Sequence, residues 1–296
     1  MSASVRRAAS AFVALPLLLL SGCLFTTRKL PLPRAPGVVQ SATGEELVDQ
    51  INQRWGALQT LNITVDIRAS VTNKKENVAR DYTSIRGHIL MRKPDMVRVL
   101  GQVPVLGTRA FDMASDGNTF TLLVPPKSVA YKGSNTQPPK ASTGLENMRP
   151  SLFVDAMFVR GIGPNEEYTK TADTDTVEDP SKKHLLFIPE YMLSIMRPRP
   201  NSHELQPLRV IHIHREDLLP YQQDLYDEHN NLETQILYGR YVDYGVNKYP
   251  STVTIRRPLE QYQVVLTVEK VTENMPLSDD QFQIKIPEGT RIQTLQ

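Results

Sequence analysis

The sequence predicts a mainly β (α+β) protein in which a large curved antiparallel sheet forms a half-open barrel covered by a few helices. Segments with an apolar residue at every second position follow one another along most of the chain. Turn signals separate these segments about every ten residues, and few segments have the spacing of an amphipathic helix. A sheet of about ten or more strands seldom stays flat, so we expect this one to curl around its apolar face.

The N-terminus is typical of an exported protein. Arg6 and Arg7 precede an apolar stretch over residues 11–20, and a charged start, a short apolar core and small residues make up a signal peptide. The stretch is too short for a transmembrane helix, which needs about 20 apolar residues. Leu20-Ser-Gly-Cys23 resembles the lipobox of bacterial lipoproteins, which implies cleavage before Cys23 and fatty acyl chains, such as palmitate, on its thiol. The alternative is an ordinary secretory signal followed by an incidental cysteine.

The rest of the composition fits an exported chain whose net charge is zero. Cys23 is the only cysteine, so an exported protein has no internal disulfide to form and this thiol is either free or modified. Removal of Arg6 and Arg7 lowers the number of basic residues from 34 to 32, which equals the 32 acidic residues. A neutral chain lacks the basic surface that nucleic acid requires.

The first structured elements are a helix and a long strand. Thr43-Gly-Glu-Glu46 is a capping box that predicts the start of a helix. Residues 61–72 alternate strictly between apolar and polar side chains, which predicts a strand with one buried and one wet face. The helix should present one apolar stripe, formed by Leu47, Ile51, Trp55 and Leu58.

Further strands follow at short intervals, separated by turn signals such as Asp116-Gly117. Residues 134–150 predict a loop, and residues 166–183 predict either a loop or an excursion at the edge of the sheet. Between them, Ser151–Phe158 predicts a short helix with Ser151 as its N-cap. The predicted strands cover residues 82–92, 96–100, 110–114, 119–124, 128–131, 184–188, 191–197, 208–215, 221–226, 233–246, 251–256 and 261–271.

Three motifs carry a resemblance to a known family. The segment 87–98 (GHILMRKPDMVR) is similar to a strand pair with a central proline, and 115–126 (SDGNTFTLLVPP) is similar to a hairpin of the same family. The segment 277–289 (LSDDQFQIKIPEG) is similar to its C-terminal end. In this order, the motifs resemble the lipoprotein-localisation fold of the bacterial carrier LolA and the anchored receptor LolB. The lipobox favours the LolB type, whereas residues 166–231 make the chain longer than those small proteins.

The resemblance implies a division into three parts and a non-enzymatic function. These parts are a lipoprotein signal peptide (1–22), an acylated cysteine with a flexible tether (23–42) and a LolA/LolB-like lipid-binding domain (43–296). The domain would hold acyl chains in an apolar concavity, and no cofactor is implied beyond the acyl chains on Cys23. The candidate cavity residues are Trp55, Ile63, Val65, Ile67, Val71, Ile89, Met91, Leu152, Phe153, Met157 and Phe158. The alternative is that these side chains simply pack a core.

One predicted loop is apolar where a polar turn is usual. It lies in the segment 100–107 (LGQVPVLG), where two glycines bracket apolar residues and a proline. An exposed apolar loop usually marks a contact with a membrane or a partner, so Val103, Val105 and Leu106 are candidate contact residues. In the receptor type that the chain resembles, such a loop passes lipid to the membrane. Alternatively, the loop folds inward as core or as a bulged strand.

Motifs for metal binding and catalysis are weak in this sequence. His212 and His214 lie two residues apart on a predicted strand with Glu216 in register, and such a pair could share a metal. A second ligand cluster is not evident from the sequence, so we expect a solvated strand face without a metal. The sequence lacks a Gly-x-Ser-x-Gly elbow, a His-Glu-x-x-His motif and a phosphate-binding loop, and we therefore expect no enzymatic activity.

These features together predict a lipid-anchored protein of the outer membrane that faces the periplasm, binds acyl chains and takes part in lipoprotein sorting or insertion. Leu24 follows the cysteine, where inner-membrane retention in enteric bacteria uses an aspartate. The expected partners are membrane lipid, lipoprotein acyl chains and a periplasmic carrier protein, but not nucleic acid. The alternative is an envelope interaction or sensing module that uses the same fold to bind a protein.

Overall fold

The structure is a computed structural model that describes residues 38–73, 78–135, 148–178, 185–245 and 247–295. The chain divides into two compact units. The larger unit comprises Gly37–Thr174 and Pro189–Gln296, and the smaller one comprises Met1–Pro36 together with Asp175–Ile188. Of the smaller unit, the structure describes 175–178 and 185–188, which are the ends of two strands.

The described residues contain two α-helices and many short strands. The helices are α1 (Gly44–Ala57) and α2 (Ser151–Met157), and 3-10 turns cover Pro125–Lys127 and Asp279–Phe282. The strands are β1 (Thr60–Asn73), β2 (Val78–Asp81), β3 (Ile85–Arg92), β4 (Met96–Gln102), β5 (Arg109–Ser115), β6 (Thr119–Val124), β7 (Val129–Ser134), β8 (Glu167–Glu178), β9 (Leu185–Pro198), β10 (Leu205–His214), β11 (Pro220–Tyr226), β12 (Leu232–Tyr238), β13 (Tyr241–Asp243), β14 (Lys248–Pro250), β15 (Thr252–Arg257), β16 (Tyr262–Glu273) and β17 (Arg291–Thr294).

Fifteen of these strands form one sheet. Its order is β17-β7-β6-β5-β4-β3-β1-β16-β15-β12-β11-β10-β9-β8, and β2 pairs with β1 beside this path. The short β17 runs parallel to β7, whereas the long central neighbours are antiparallel. β13 and β14 form a separate two-stranded ribbon. The predicted large antiparallel sheet with a few helices is therefore confirmed.

The register of the strands builds one continuous apolar face. Ile63 on β1 lies opposite Ile89 on β3 and Val271 on β16. Ile89 in turn lies opposite Val99 on β4, which lies opposite Met113 on β5. All five side chains are buried, and directly paired residues point to the same side of a sheet. The strict alternation of residues 61–72 therefore has the predicted cause, a strand with one face in the core.

Helix α1 begins at the predicted capping box. The Thr43 hydroxyl accepts from the Glu46 backbone N–H, and the Glu46 carboxylate accepts from the Thr43 backbone N–H. Such a cap stabilises a helix by about 1 kcal/mol. Leu47 and Ile51 of the apolar stripe are buried, and they pack against the β9 and β10 side chains of the sheet, namely Leu193, Ile195, Ile211 and Ile213.

Helix α2 is short and almost entirely buried, because five of its seven residues are buried among the strands. The prediction of Ser151 as N-cap is wrong. Pro150 occupies the cap position with helical backbone angles and no side-chain hydrogen bond, so that Ser151 is the first helical residue. Proline fits the start of a helix because its fixed φ is already helical. The hydrophobic contacts of this helix, rather than a cap, thus hold it in place.

The sequence predicts either a loop or an edge excursion for residues 166–183, and the structure has the edge strand β8 there. Its side chains from Glu167 to Thr176 are exposed, which explains why no alternation of apolar residues marks it. Alternating threonines and charges are typical of an edge strand that must not pair further. The predicted strands 184–188 and 191–197 are one strand, β9, and the predicted strand 233–246 divides into β12 and β13.

Candidate functional site

The apolar face of the sheet borders a cavity of about 450 Å3 next to α2. Sites for small molecules typically have volumes of about 300–1,000 Å3 and mostly apolar walls, and this cavity meets both criteria. Most of the side chains that line it are aliphatic or aromatic. They are Ile67, Ala69, Tyr82, Thr83, Ile85, Ala110, Phe111, Met113, Leu122, Val124, Lys127, Tyr131, Met148 and Phe153.

The cavity extends across the sheet from β1 to β7. Ile67 on β1 and Tyr131 on β7 both line it, although four strands lie between β1 and β7 in the sheet. At a spacing of about 4.8 Å per strand, β1 and β7 would lie about 24 Å apart in a flat sheet. The cavity thus extends across several strands and is not confined to one strand pair.

Two glycines lie next to side chains that line this cavity. Gly87 on β3 pairs with Gly101 on β4, and large side chains lie across both of them. A Cβ at Gly87 would lie 2.4 Å from Cδ1 of Ile67, and a Cβ at Gly101 would lie 2.5 Å from Cε1 of Phe111. A larger residue at either position would displace the neighbouring side chain, so the glycine pair leaves room for Ile67 and Phe111 to lie across the strands. Sequence reasoning missed Phe111, and the paired glycines are the signal that could have found it.

The centre of the apolar face is packed solid under α2. Ile63, Val65, Ile89 and Met91 have no exposed surface. These four candidate cavity residues, together with Leu152 and Val71, line neither this cavity nor the second one described below, and they belong to or pack against the main core. Of the sequence candidates, Ile67 and Phe153 do line the larger cavity. Helix α2 therefore fills the middle of the concavity instead of covering it as a lid.

A second cavity, of about 280 Å3, lies at the other end of α2. It includes the remaining candidates Trp55, Met157 and Phe158, and three tyrosines of the β12–β14 region complete its aromatic wall. The Trp55 and Phe158 rings meet edge to face with centroids 5.6 Å apart. The Lys93 ammonium lies 3.7 Å from the Trp55 ring centroid, and burial lowers the pKa of Lys93. A cation over the face of an indole ring is attracted to it, so Lys93 and Phe158 both stabilise the position of Trp55 in this wall.

The apolar loop between β4 and β5 lies on the surface. Val105 is fully exposed and Leu106 is 74 % exposed, whereas Val103 is half-buried. Backbone hydrogen bonds from Val103 to Thr108 and from Gly107 to Val103 close the loop. Val105 has a φ of 69°, which is a strained conformation for a β-branched residue. The loop leads into β5, and the second and third residues of that strand, Ala110 and Phe111, line the larger cavity. The loop therefore adjoins that cavity.

The histidines of β10 contact carboxylates and an aromatic ring. Nδ1 of His212 lies 2.9 Å from Oε2 of the buried Glu190, and Nε2 lies 3.5 Å from Oδ2 of Asp224. Burial would lower the pKa of His212, but the hydrogen bonds with Asp224 and Glu190 outweigh it and raise this pKa. The His214 ring stacks on Tyr221 with centroids 4.0 Å apart. The pattern of alternating histidines thus marks a charged cluster of the β9–β11 sheet surface, which the sequence prediction of a solvated face missed.

Several predictions concern residues that the structure does not describe. The signal peptide, Cys23 and the tether up to residue 37 lie outside the described residues, and so does most of the predicted loop 134–150. Within the part of the chain that the structure describes, no helix is long and apolar enough to cross a membrane. In the same part, no group of three or more His, Cys, Asp or Glu side chains has an arrangement suited to a metal ion.

Comparison with solved structures identifies the fold. A DUF1329 family protein from Desulfovibrio piger matches with a TM-score of 0.50 and 13% sequence identity, over 81% of this chain and 95% of the other. A LolA superfamily protein from Nitrosomonas europaea matches with a TM-score of 0.50 and 12% identity, over 82% and 99% of the two chains. No protein-family model and no curated protein sequence matches significantly. At this identity the similarity concerns the fold alone, and the chain has the fold of LolA-superfamily proteins.

Proposed function

We propose that this chain is a membrane-anchored lipoprotein that binds acyl chains in the larger cavity and takes part in lipoprotein sorting or insertion at the outer membrane. The observation that supports this most is the apolar cavity of about 450 Å3 beside the exposed apolar loop 103–108. Transfer would need no covalent chemistry, because an acyl chain moves between sites according to the apolar surface that each one buries. Each buried methylene contributes about 0.8 kcal/mol.

The loop is suited to contact with the membrane, and the cavity is suited to binding the lipid. Val105 and Leu106 expose apolar surface to water, and insertion into a bilayer would remove that cost. The exposed Lys127 lines the cavity, and its positive charge can attract anionic lipid to it. Acyl chains on Cys23 would keep the domain at its membrane, since two or more chains hold a protein firmly. The loop would then bring the mouth of the cavity to the lipid surface.

Lipid extraction from the purified protein tests the binding step. The full chain with Cys23→Ser, which has no acylation site, would be expressed in a bacterial host, and its bound lipids would be identified by mass spectrometry. We expect lipids with acyl chains at about one molecule per protein, and palmitate should displace them. If no lipid copurifies and added palmitate does not bind, the proposal is wrong and the alternative of a protein-binding envelope module gains support.

The loop tests the transfer step separately. We expect the double substitution Val105→Ser with Leu106→Ser to slow the passage of a fluorescent acyl lipid to phosphatidylglycerol and phosphatidylethanolamine vesicles by at least about tenfold. Because both side chains are exposed, unfolding free energy should change by less than about 0.5 kcal/mol. Leu259→Ser is the matched control, since Leu259 is also exposed but belongs to the β15–β16 turn. Equal transfer rates in wild type and the double variant would contradict this role of the loop.

A further inference from the structure

Arg149 is a buried cation without a hydrogen-bond partner among the described residues. It lies just before α2 and is only 9% exposed. Its Nε and Nη1 atoms are inaccessible and donate to no acceptor, and the described residues place no carboxylate in an ion pair with it. Its guanidinium instead lies 4.8 Å from the ring centroid of Phe120 on β6. A buried charge is normally paired and hydrogen-bonded. The Nε and Nη1 donors of Arg149 therefore remain free to bind an acceptor.

The charges around Arg149 favour an anion. Burial lowers its pKa, the nearby Tyr262 raises it and the nearby Arg257 lowers it. The guanidinium of Arg257 is already bound to Glu233 and Glu260. Arginine keeps its proton in proteins, so its environment leaves Arg149 as an uncompensated positive charge. An anion at this position would supply the missing partner.

A second unpartnered group lies near Arg149. The hydroxyl of Tyr262 is inaccessible and has no hydrogen-bond partner among the described residues. Burial raises the pKa of Tyr262, and the positive charges of Arg257 and Arg149 lower it. A phenol that keeps its proton can donate a hydrogen bond. Arg149 and Tyr262 together therefore offer a guanidinium and a hydroxyl to one oxygen-bearing group.

The position of Arg149 connects this pair to the larger cavity. Met148, the preceding residue, and Phe153, four residues later, both line that cavity. The Arg149 guanidinium lies over the ring of Phe120. On β6, Leu122 is the next residue on the same face as Phe120, and it also lines the cavity. Residues next to Arg149 in the chain and next to Phe120 on β6 thus line the cavity, whereas Arg149 itself does not. An acyl ligand in the cavity would have to turn its polar end toward the segment from Met148 to Phe153 to contact Arg149.

We infer that Arg149, assisted by the Tyr262 hydroxyl, binds the anionic headgroup of the acyl ligand in the larger cavity. The shared chemistry of this headgroup is an anionic oxygen, as in a carboxylate or a phosphate. This inference rests on the proposed function, because it assigns the polar end of the same ligand. It predicts that the site selects charged acyl compounds over uncharged ones of equal chain length.

The test compares ligands that differ only in the headgroup. Binding of palmitate, hexadecyl phosphate and hexadecanol to the full chain with Cys23→Ser would be measured by displacement of a fluorescent fatty acid. In the Arg149→Met background, we expect affinity for the acid or the phosphate to fall by about 10- to 100-fold, since hydrogen bonds to charged groups have this effect. Hexadecanol should bind both proteins equally. Whichever anion loses more affinity identifies the headgroup class.

Further variants separate recognition from folding. Arg149→Lys should restore part of the affinity for the anion, because it keeps the charge without the planar fork of donors. Arg256→Met is the control, since Arg256 is exposed and belongs to the same strand as Arg257. The melting temperature of ligand-free Arg149→Met should equal or exceed that of wild type, because replacing an unpaired buried charge removes a desolvation cost. A large loss of melting temperature would show a structural role and overturn the inference.

The failure of this inference differs from the failure of the proposed function. If wild type binds palmitate, hexadecyl phosphate and hexadecanol equally, and Arg149→Met changes none of them by more than about twofold, acyl binding stands and the headgroup site is refuted. If all three ligands lose affinity equally in Arg149→Met, the residue shapes the cavity and the inference is again wrong. If wild type binds none of the three, the proposed function itself fails.

Discussion

Filling the larger cavity should stabilise the protein and weaken ligand binding at the same time. Ala69 on β1 is half-buried and lines the cavity of about 450 Å3. Ala69→Leu adds three carbons, each worth about 0.8 kcal/mol when buried, so the upper limit is about 2.4 kcal/mol. Ordering the leucine side chain costs about 0.5–1 kcal/mol. We therefore expect the free energy of unfolding to rise by about 1–2 kcal/mol.

The assay is urea unfolding of the full chain with Cys23→Ser, followed by palmitate titration. The added side chain occupies part of the acyl site, so palmitate affinity should fall by about tenfold or more. Two control variants show the effect of the same substitution at a packed position and at an exposed position. Ala130→Leu, at a strand position with no exposed surface, should destabilise the protein by about 1–3 kcal/mol because a packed site cannot accept more volume. Ala79→Leu, at an exposed position of β2, should change stability by less than about 0.5 kcal/mol.

The sign of the Ala69→Leu effect decides between a cavity and a packed core. If Ala69→Leu destabilises the protein as much as Ala130→Leu does, the site has no room and the reasoning from the cavity is refuted. If it stabilises the protein but palmitate binds as in wild type, the cavity exists and the ligand binds elsewhere. Only a gain in stability combined with a loss of affinity agrees with the proposed acyl site.

Two further predictions concern the charged groups of the sheet. The fold raises the pKa of His212, so the protonated imidazole stabilises the folded state. This stabilisation is complete below the ordinary pKa of about 6.5 and is lost as pH rises through the raised pKa. The free energy of unfolding in urea should therefore fall over this pH range in wild type and change less in His212→Gln. Asp112 is fully buried and binds Arg98 through both carboxylate oxygens, at 2.8 and 3.0 Å. Asp112→Ala should therefore lower the unfolding free energy by about 3 kcal/mol, whereas Asp116→Ala in the exposed turn should cost clearly less.

Local sequence signals predicted the elements whose cause is itself local. The capping box at Thr43 and the alternation of residues 61–72 each depend on neighbours within a few positions, and both match the structure. The edge strand β8 has no such signal, because its side chains face solvent and only pairing with β9 makes it a strand. The prediction of Ser151 as N-cap was wrong, because Pro150 occupies the cap position and Ser151 is the first helical residue of the buried α2.

The cavity residues divide in the same way. Periodicity identified the apolar face that carries Ile63, Ile67 and Ile89, since every second residue of a strand points to one side. Periodicity could not tell which of these side chains line a void. Ile63 and Ile89 lie under α2 and are fully buried, whereas Ile67 borders the cavity. That difference depends on where a helix 60 or more residues away in the chain settles on the sheet.

The sequence by itself predicted an export signal, a neutral charge after its removal, and a mainly β fold with one apolar face. These properties follow from composition and from spacing along the chain. The tertiary structure alone decided that α2 fills the centre of that face, that a cavity remains beside it, and that Arg149 is buried there without a partner among the described residues. Voids and unpaired charges arise from the three-dimensional fit of distant segments, and no local pattern of residues encodes that fit.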